Sequence, residues 1–121
     1  MKIGCVRVTS KRKGFVFPPV ENEVVIDVDR SNRVMGNPIE LKNKYDMAER
    51  LDVISKYGEK LNLDFENEGP MYNCILEYVN ILLTGRNLSL RCWCNEPDNY
   101  IPCHADKIKE KIEEIIEQLN K

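Results

Sequence analysis

No apolar run in this chain approaches the roughly 18–20 residues of a membrane-spanning helix, so no bilayer span is expected. Met1-Lys2-Ile3-Gly4-Cys5 passes straight into a strand pattern with charged residues, so a secretory leader is not expected either. A basic excess is missing as well. The chain has 18 Lys and Arg against 20 Asp and Glu, for a net charge of −2. General nucleic-acid binding needs a basic face and is therefore not expected. The one basic cluster, Lys11-Arg12-Lys13 with Arg7 nearby, reads as a solvated loop or as a local anion contact. Nor is there a disulfide framework: five cysteines is an odd number without framework spacing, which points to reduced thiols in a cytoplasm. Internal repeats and low-complexity tracts are absent, and tryptophan and histidine occur once each.

What is present fits one soluble globular unit. With 121 residues, 42% hydrophobic and 31% charged, residues 1–121 read as a single domain able to bury its own core. Ile3 to Val8 is strand-like, and Glu23 to Asp29 is a β-branched run of the kind a buried strand needs. Between them, Thr9 to Pro19 is a loop. Arg30 to Tyr45 shows neither period, and a loop of that length in a small domain is either functional or disordered. A helix is expected from Asp46, with Glu49 completing a capping-box pattern and Met47, Leu51, Ile54 and Leu61 forming its stripe. Pro70 suits the first turn of a second helix burying Met71, Ile75, Val79 and Leu82, with Gly85 as its stop. Leu88 to Cys94 reads as a strand. Asp106 to Leu119 reads as a helix burying Ile108, Ile112, Ile115, Ile116 and Leu119. The order β, β, α, α, β, α implies an α/β layered domain with a small, mostly parallel sheet and about three helices.

Three cysteines, the tryptophan and the histidine fall within 13 residues, as Cys92-Trp93-Cys94 and Cys103-His104. Cys92 and Cys94 point to one face of a strand. Cys103 and His104 precede a helix, where free N–H groups and the dipole favour negative charge and thiolate. Cys92, Cys94, Cys103 and His104 form a chemically reasonable zinc set. Their spacing opposes it, because zinc pairs are usually two to four residues apart and adjacent residues rarely aim at one metal. Zinc is thus not favoured, and the sequence names no other cofactor. A reactive Cys103 thiolate partnered by His104 is one alternative. Another is that the cysteines are small buried apolar residues at a strand–helix junction. Trp93, on the opposite face from its neighbours, reads as core.

A second constellation follows the second strand: Asp29-Arg30-Ser31-Asn32-Arg33-Val34-Met35-Gly36-Asn37-Pro38. Gly36 permits positive φ or close approach to a ligand. Asn37 offers amide donors and an acceptor, and Pro38 stiffens the exit. Arg30 and Arg33 could grip phosphate bidentately. A plain turn with exposed arginines is the alternative. Parallel strands would bring this segment to the same sheet edge as Cys94.

Together these residues resemble the domain of unknown function 4326, a family of bacteriophages and bacteria. The matching positions are Arg30, Ser31, Gly36-Asn37-Pro38, Arg50, Tyr57, Cys92-Trp93-Cys94 and Cys103-His104-Ala105-Asp106, and the resemblance runs from about Val24 to Ile116. Ile39 departs from the pattern, which has an aromatic there. The segment between Cys94 and Cys103 is longer than usual, which argues further against a fixed metal geometry. A similar Cys-His pair opens the last helix of the domain of unknown function 488, an analogy only. The resemblance implies a compact α/β fold and a shared pocket, without an assigned activity.

The expected function is binding of a nucleotide-derived or other phosphate- or ribose-containing small molecule. Arg30, Ser31, Gly36, Asn37, Cys94, His104, Ala105 and Asp106 are the expected contacts. The phage association suggests a protein that handles or sequesters a host defence signal in the cytoplasm of a bacterial host. One alternative is an enzyme on the same class of substrate, with Cys103 as nucleophile or His104 as acid/base, and Asp106 or Arg30 orienting the substrate. Another is a zinc-stabilised interaction module. A homodimer is a mild expectation for a protein this small.

Overall fold

The computed structural model describes residues 3–11, 17–29, 31–37, 46–93 and 102–120. Its elements are β1 (Val6–Ser10), β2 (Glu23–Asp27), α1 (Met47–Glu66), α2 (Pro70–Leu83), β3 (Asn87–Cys92) and α3 (His104–Leu119). The three strands form one parallel sheet in the order β1-β3-β2, with Val6 and Val24 both in register with Leu88. Because β3 is central and last, the chain lays down both edges before closing the middle. The α/β domain with three helices matches the pattern of the sequence.

Local chemistry explains the helix boundaries. The Asp46 side chain accepts from the Glu49 N–H at 3.1 Å and starts α1. Gly69 has no side chain with which to cap α2. Asp64 of α1 supplies the acceptors instead, taking the N–H groups of Met71 (3.2 Å) and Tyr72 (2.7 Å). One carboxylate thereby caps α2 and fixes the α1–α2 corner. Gly85, with φ of 90°, turns the chain out of α2 and into β3.

Two-residue alternation sorts the sheet's side chains. Val6, Leu88, Leu90 and Cys92 share one face and join Tyr57, Leu61, Ile75, Leu82, Ile108 and Ile112 in a single core. Helices α2 and α3 lie on the sheet, and α1 packs on both of them. The opposite face carries the Arg7–Glu23 pair at 2.7 Å, the Thr9–Ser89 hydroxyl contact at 2.6 Å and the Arg91–Asp27 pair at 2.7 Å.

Some expected core positions are moved. Met47 and Leu51 are exposed, and the inward stripe of α1 is Val53, Ile54, Tyr57 and Leu61. Arg50 lies on the extension of that stripe and reaches Pro102 instead of the apolar core. Leu119 is exposed in the last turn of α3. Trp93 is not core: it is 54% exposed, because alternation puts it on the polar face, opposite the helices. The last helix begins two residues before the expected Asp106, at His104.

Candidate functional site

All three strands run the same way, so their carboxyl ends meet at one edge of the sheet, where open α/β sheets hold ligands. Beyond the strands the ladder continues for one more bond on each side. Lys11 N–H donates to the Cys92 carbonyl (2.7 Å), and Val28 N–H donates to the Arg91 carbonyl (2.9 Å). These bonds fix Lys11, Asp29 and Trp93 side by side on the polar face.

Asp29 is the hub there. It is only 7% exposed. Its carboxylate accepts from the Trp93 Nε1–H (2.6 Å), the Ser31 N–H (3.2 Å), the Ser31 hydroxyl and Lys11 Nζ (2.9 Å). Burial pushes the Asp29 carboxyl up, but the hydrogen bonds from Ser31, Lys11 and Trp93 and the charge of Lys11 outweigh it and hold it at about 2. The hydrogen bond from Arg91 likewise lowers Asp27, against its desolvation, and Asp29's hydrogen bond raises Lys11. Lys11 also reaches Asp27 at 3.4 Å and lies 5.9 Å from the Trp93 ring centre. Two cations and two carboxylates thus balance, leaving a neutral, rigid cluster with an exposed indole.

The following turn is organised by Asn32. Its amide oxygen accepts from Val34 N–H (3.1 Å) and Met35 N–H (3.0 Å), while its amide nitrogen donates to the Asp27 carbonyl (3.0 Å). Gly36 N–H donates back to the Asn32 carbonyl at 2.8 Å. Gly36 is buried, Ser31 and Arg33 are exposed, and Asn37 is half-buried. The Tyr57 hydroxyl donates to the Met35 carbonyl at 2.6 Å, which pins the turn to α1. Burial raises the Tyr57 phenol well above its ordinary value, so it remains a donor.

On the helix side of the same edge, Cys103 is the N-cap of α3 in extended conformation. The Asp106 carboxylate accepts from its N–H at 2.9 Å. His104 Nε2 lies 2.5 Å from the Val28 carbonyl. A carbonyl only accepts, so Nε2 carries the proton, and Nδ1 turns its lone pair toward Cys103 Sγ at 3.5 Å. The Tyr57 ring meets the imidazole edge-on, with centres 5.0 Å apart. Cys103 Sγ lies 3.0 Å from Cys92 Sγ, and both thiols are buried. Arg50 donates to the Pro102 carbonyl at 3.2 Å. Arg50, Tyr57, Cys92, Cys103 and His104 therefore act as one scaffold that ties α1, the β2 turn and the α3 start together.

Among the expected contacts, Ser31, Gly36 and Asn37 share the β2 turn, and His104, Ala105 and Asp106 share the first turn of α3. The His104–Val28 bond brings these two groups together. Ser31 is open to solvent, whereas His104 and Ala105 are buried and Asp106 is held as a cap. Arg30 and Cys94 lie outside the described residues, as does Pro38. Among the described residues no group of three or more His, Cys, Asp or Glu side chains is placed to hold a metal. The sequence offers a solvated loop or a local anion contact for Lys11 and core for Trp93, and it gives Asp29 and Asn32 no role of their own within the second constellation. The available signal was Asp27-x-Asp29 at the end of a β-branched strand, where only the outward positions are acidic. Among the described residues, no helix is long and apolar enough to cross a membrane.

The chain belongs to the family described as Domain of unknown function (DUF4326), whose model matches residues 9–114. No curated protein matches the chain, and no solved structure does.

Proposed function

For this member of the DUF4326 family, we propose that the carboxyl edge of the sheet binds a nucleotide-derived small molecule carrying ribose or phosphate. The observation that carries this reading is the Asp29 hub. A buried, ionised carboxylate fixes a hydroxyl, an ammonium group and a half-exposed indole in one orientation at the edge. Preorganised polar groups beside an apolar surface are what a small-molecule site needs. The ring platform suits a base, the exposed Ser31 hydroxyl oxygen suits a ribose hydroxyl, and the exposed Arg33 suits phosphate. Lys11 and Arg91 are already neutralised by Asp27 and Asp29, so they add little phosphate affinity. The biological role we assign is sequestration of a host defence signal in a bacterial cytoplasm, acting as a monomer or homodimer.

Because Trp93 is the single tryptophan, its fluorescence reports on the site alone. Titration with nucleoside mono- and diphosphates, cyclic nucleotides and ADP-ribose should give saturable quenching with one of them and a matching rise in melting temperature. Neither signal anywhere in the panel removes the reading.

The order Cys103 Sγ, His104 Nδ1, Val28 carbonyl favours a second reading, an enzyme on the same substrates. It has the nucleophile, base and orienting acceptor of a covalent mechanism. Turnover of a bound nucleotide that is lost in Cys103→Ser would select it, and binding without turnover would eliminate it.

A further inference from the structure

Cys92 closes β3, Cys103 caps α3, and their sulfur atoms are 3.0 Å apart. They are 1% and 2% exposed. Two sulfurs with no bond between them ordinarily sit well over 3 Å apart, whereas a disulfide needs about 2.05 Å. An approach of roughly one ångström therefore converts the contact into a bond. The two cysteines are 11 positions apart in sequence. The pair also has a proton acceptor at hand, since the lone pair of His104 Nδ1 faces Cys103 Sγ at 3.5 Å.

We propose that Cys92 and Cys103 form a reversible dithiol–disulfide pair, and that the oxidant is hydrogen peroxide. A compact oxidant is required because both thiols are buried. Cys103 gives its proton to His104 Nδ1, and its sulfur attacks one peroxide oxygen. The O–O bond breaks, the sulfenic acid forms, and the leaving hydroxide takes up the proton as water. The Cys92 sulfur then attacks the Cys103 sulfenic sulfur, the S–O bond breaks, and the departing hydroxide takes the Cys92 proton as a second water. In sum, two thiols and one peroxide give one disulfide and two waters. The bond draws Cys103 toward β3 and carries with it His104, the residue that ties α3 to the β2 turn.

The test treats the reduced full chain with one equivalent of hydrogen peroxide, then denatures and alkylates it. The expected product is 2 Da lighter before alkylation, has two fewer alkylatable thiols among five, and regains both with dithiothreitol. Peptide mapping should place the link between Cys92 and Cys103. In Cys92→Ser, Cys103 should instead stop at the sulfenic or a higher acid. A map showing no link, or a link through Cys94, overturns the proposal. So does stoichiometric zinc in the reduced protein that shields both thiols from alkylation.

Discussion

The two sides of the sheet's carboxyl edge are built from neighbouring residues and have opposite characters. Val28 and Cys92 face the helices, where they meet Cys103, His104 and Tyr57 in a buried setting. Asp29 and Trp93, each one residue further along the chain, face away and join Lys11 in a charge-balanced cluster with an open indole. The difference comes from the two-residue period of a strand. The helix side is held by hydrogen bonds to buried carbonyls and contributes rigidity. The far side is held by ion pairs near solvent and contributes chemistry that a ligand could meet. Damage to the first should appear as lost stability, and damage to the second mainly as lost binding.

The sharpest test of that division is His104→Ala. It removes the donor to the buried Val28 carbonyl, the edge-on contact with Tyr57 and the volume of the ring. The expected loss is about 3 kcal/mol of unfolding free energy, from the unsatisfied acceptor plus the cavity. Urea denaturation measures it, and a loss below about 1 kcal/mol would dissolve the distinction between the two sides. Tyr57→Phe should cost somewhat less, about 2 kcal/mol, since only the hydroxyl to the buried Met35 carbonyl goes. Hydrogen exchange at Val34, Met35 and Gly36 should quicken in the same variant, because the turn loses its tie to α1.

Trp93→Ala probes the other side. Half of the indole is already in water, so the stability cost should be about 1 kcal/mol, chiefly the hydrogen bond to Asp29. Its effect on ligand binding should exceed its effect on folding: a loss of about tenfold or more in affinity for any nucleotide that quenches the wild-type fluorescence. Calorimetry provides the comparison. Equal affinity in the variant would place the ligand on the helix side.

How far the sequence revealed this edge follows from the same contrast. The element order, the parallel pairing and the helix starts at Asp46 and Pro70 rest on local chemistry and periodicity, so they were legible. That the turn after β2 lies at the same sheet edge as the end of β3 also followed, because parallel strands must end together. Trp93 was misread as core. Its large apolar ring argues for burial on average, but its parity with Arg91 and Ser89 assigns it to the polar face, and parity prevails. The Asp29 hub was illegible for another reason. Its partners Lys11 and Trp93 lie 18 and 64 positions away, and only the sheet order β1-β3-β2 makes them neighbours. Arg50 and Tyr57 were visible as parts of a family pattern, yet their bonds to Pro102 and Met35 depend on how α1 lies across the domain.

The smallest effect isolates the charge of Asp29. Its folded carboxyl is held at about 2, below the ordinary 3.8. A depressed folded value means the unfolded chain takes up its proton first as the pH falls. The stability that Asp29 contributes is therefore fully present above about pH 5, declines through pH 4 to 2, and is gone below that. Although the carboxylate is buried, Lys11 extends toward solvent and screening trims its pull, so about 1 kcal/mol is the expected size. Other carboxylates titrate over the same range, so the wild type alone cannot report it. The comparison with Asp29→Asn can, because the variant has no carboxyl to titrate there, although its amide nitrogen no longer accepts from one of the two pairs of donors. Between pH 6 and pH 2.5 the wild type should lose about 1 kcal/mol more than the variant. Parallel losses would mean that Ser31 and Trp93 hold Asp29 equally well with or without its charge, and the far side would then be a packing device like the near one.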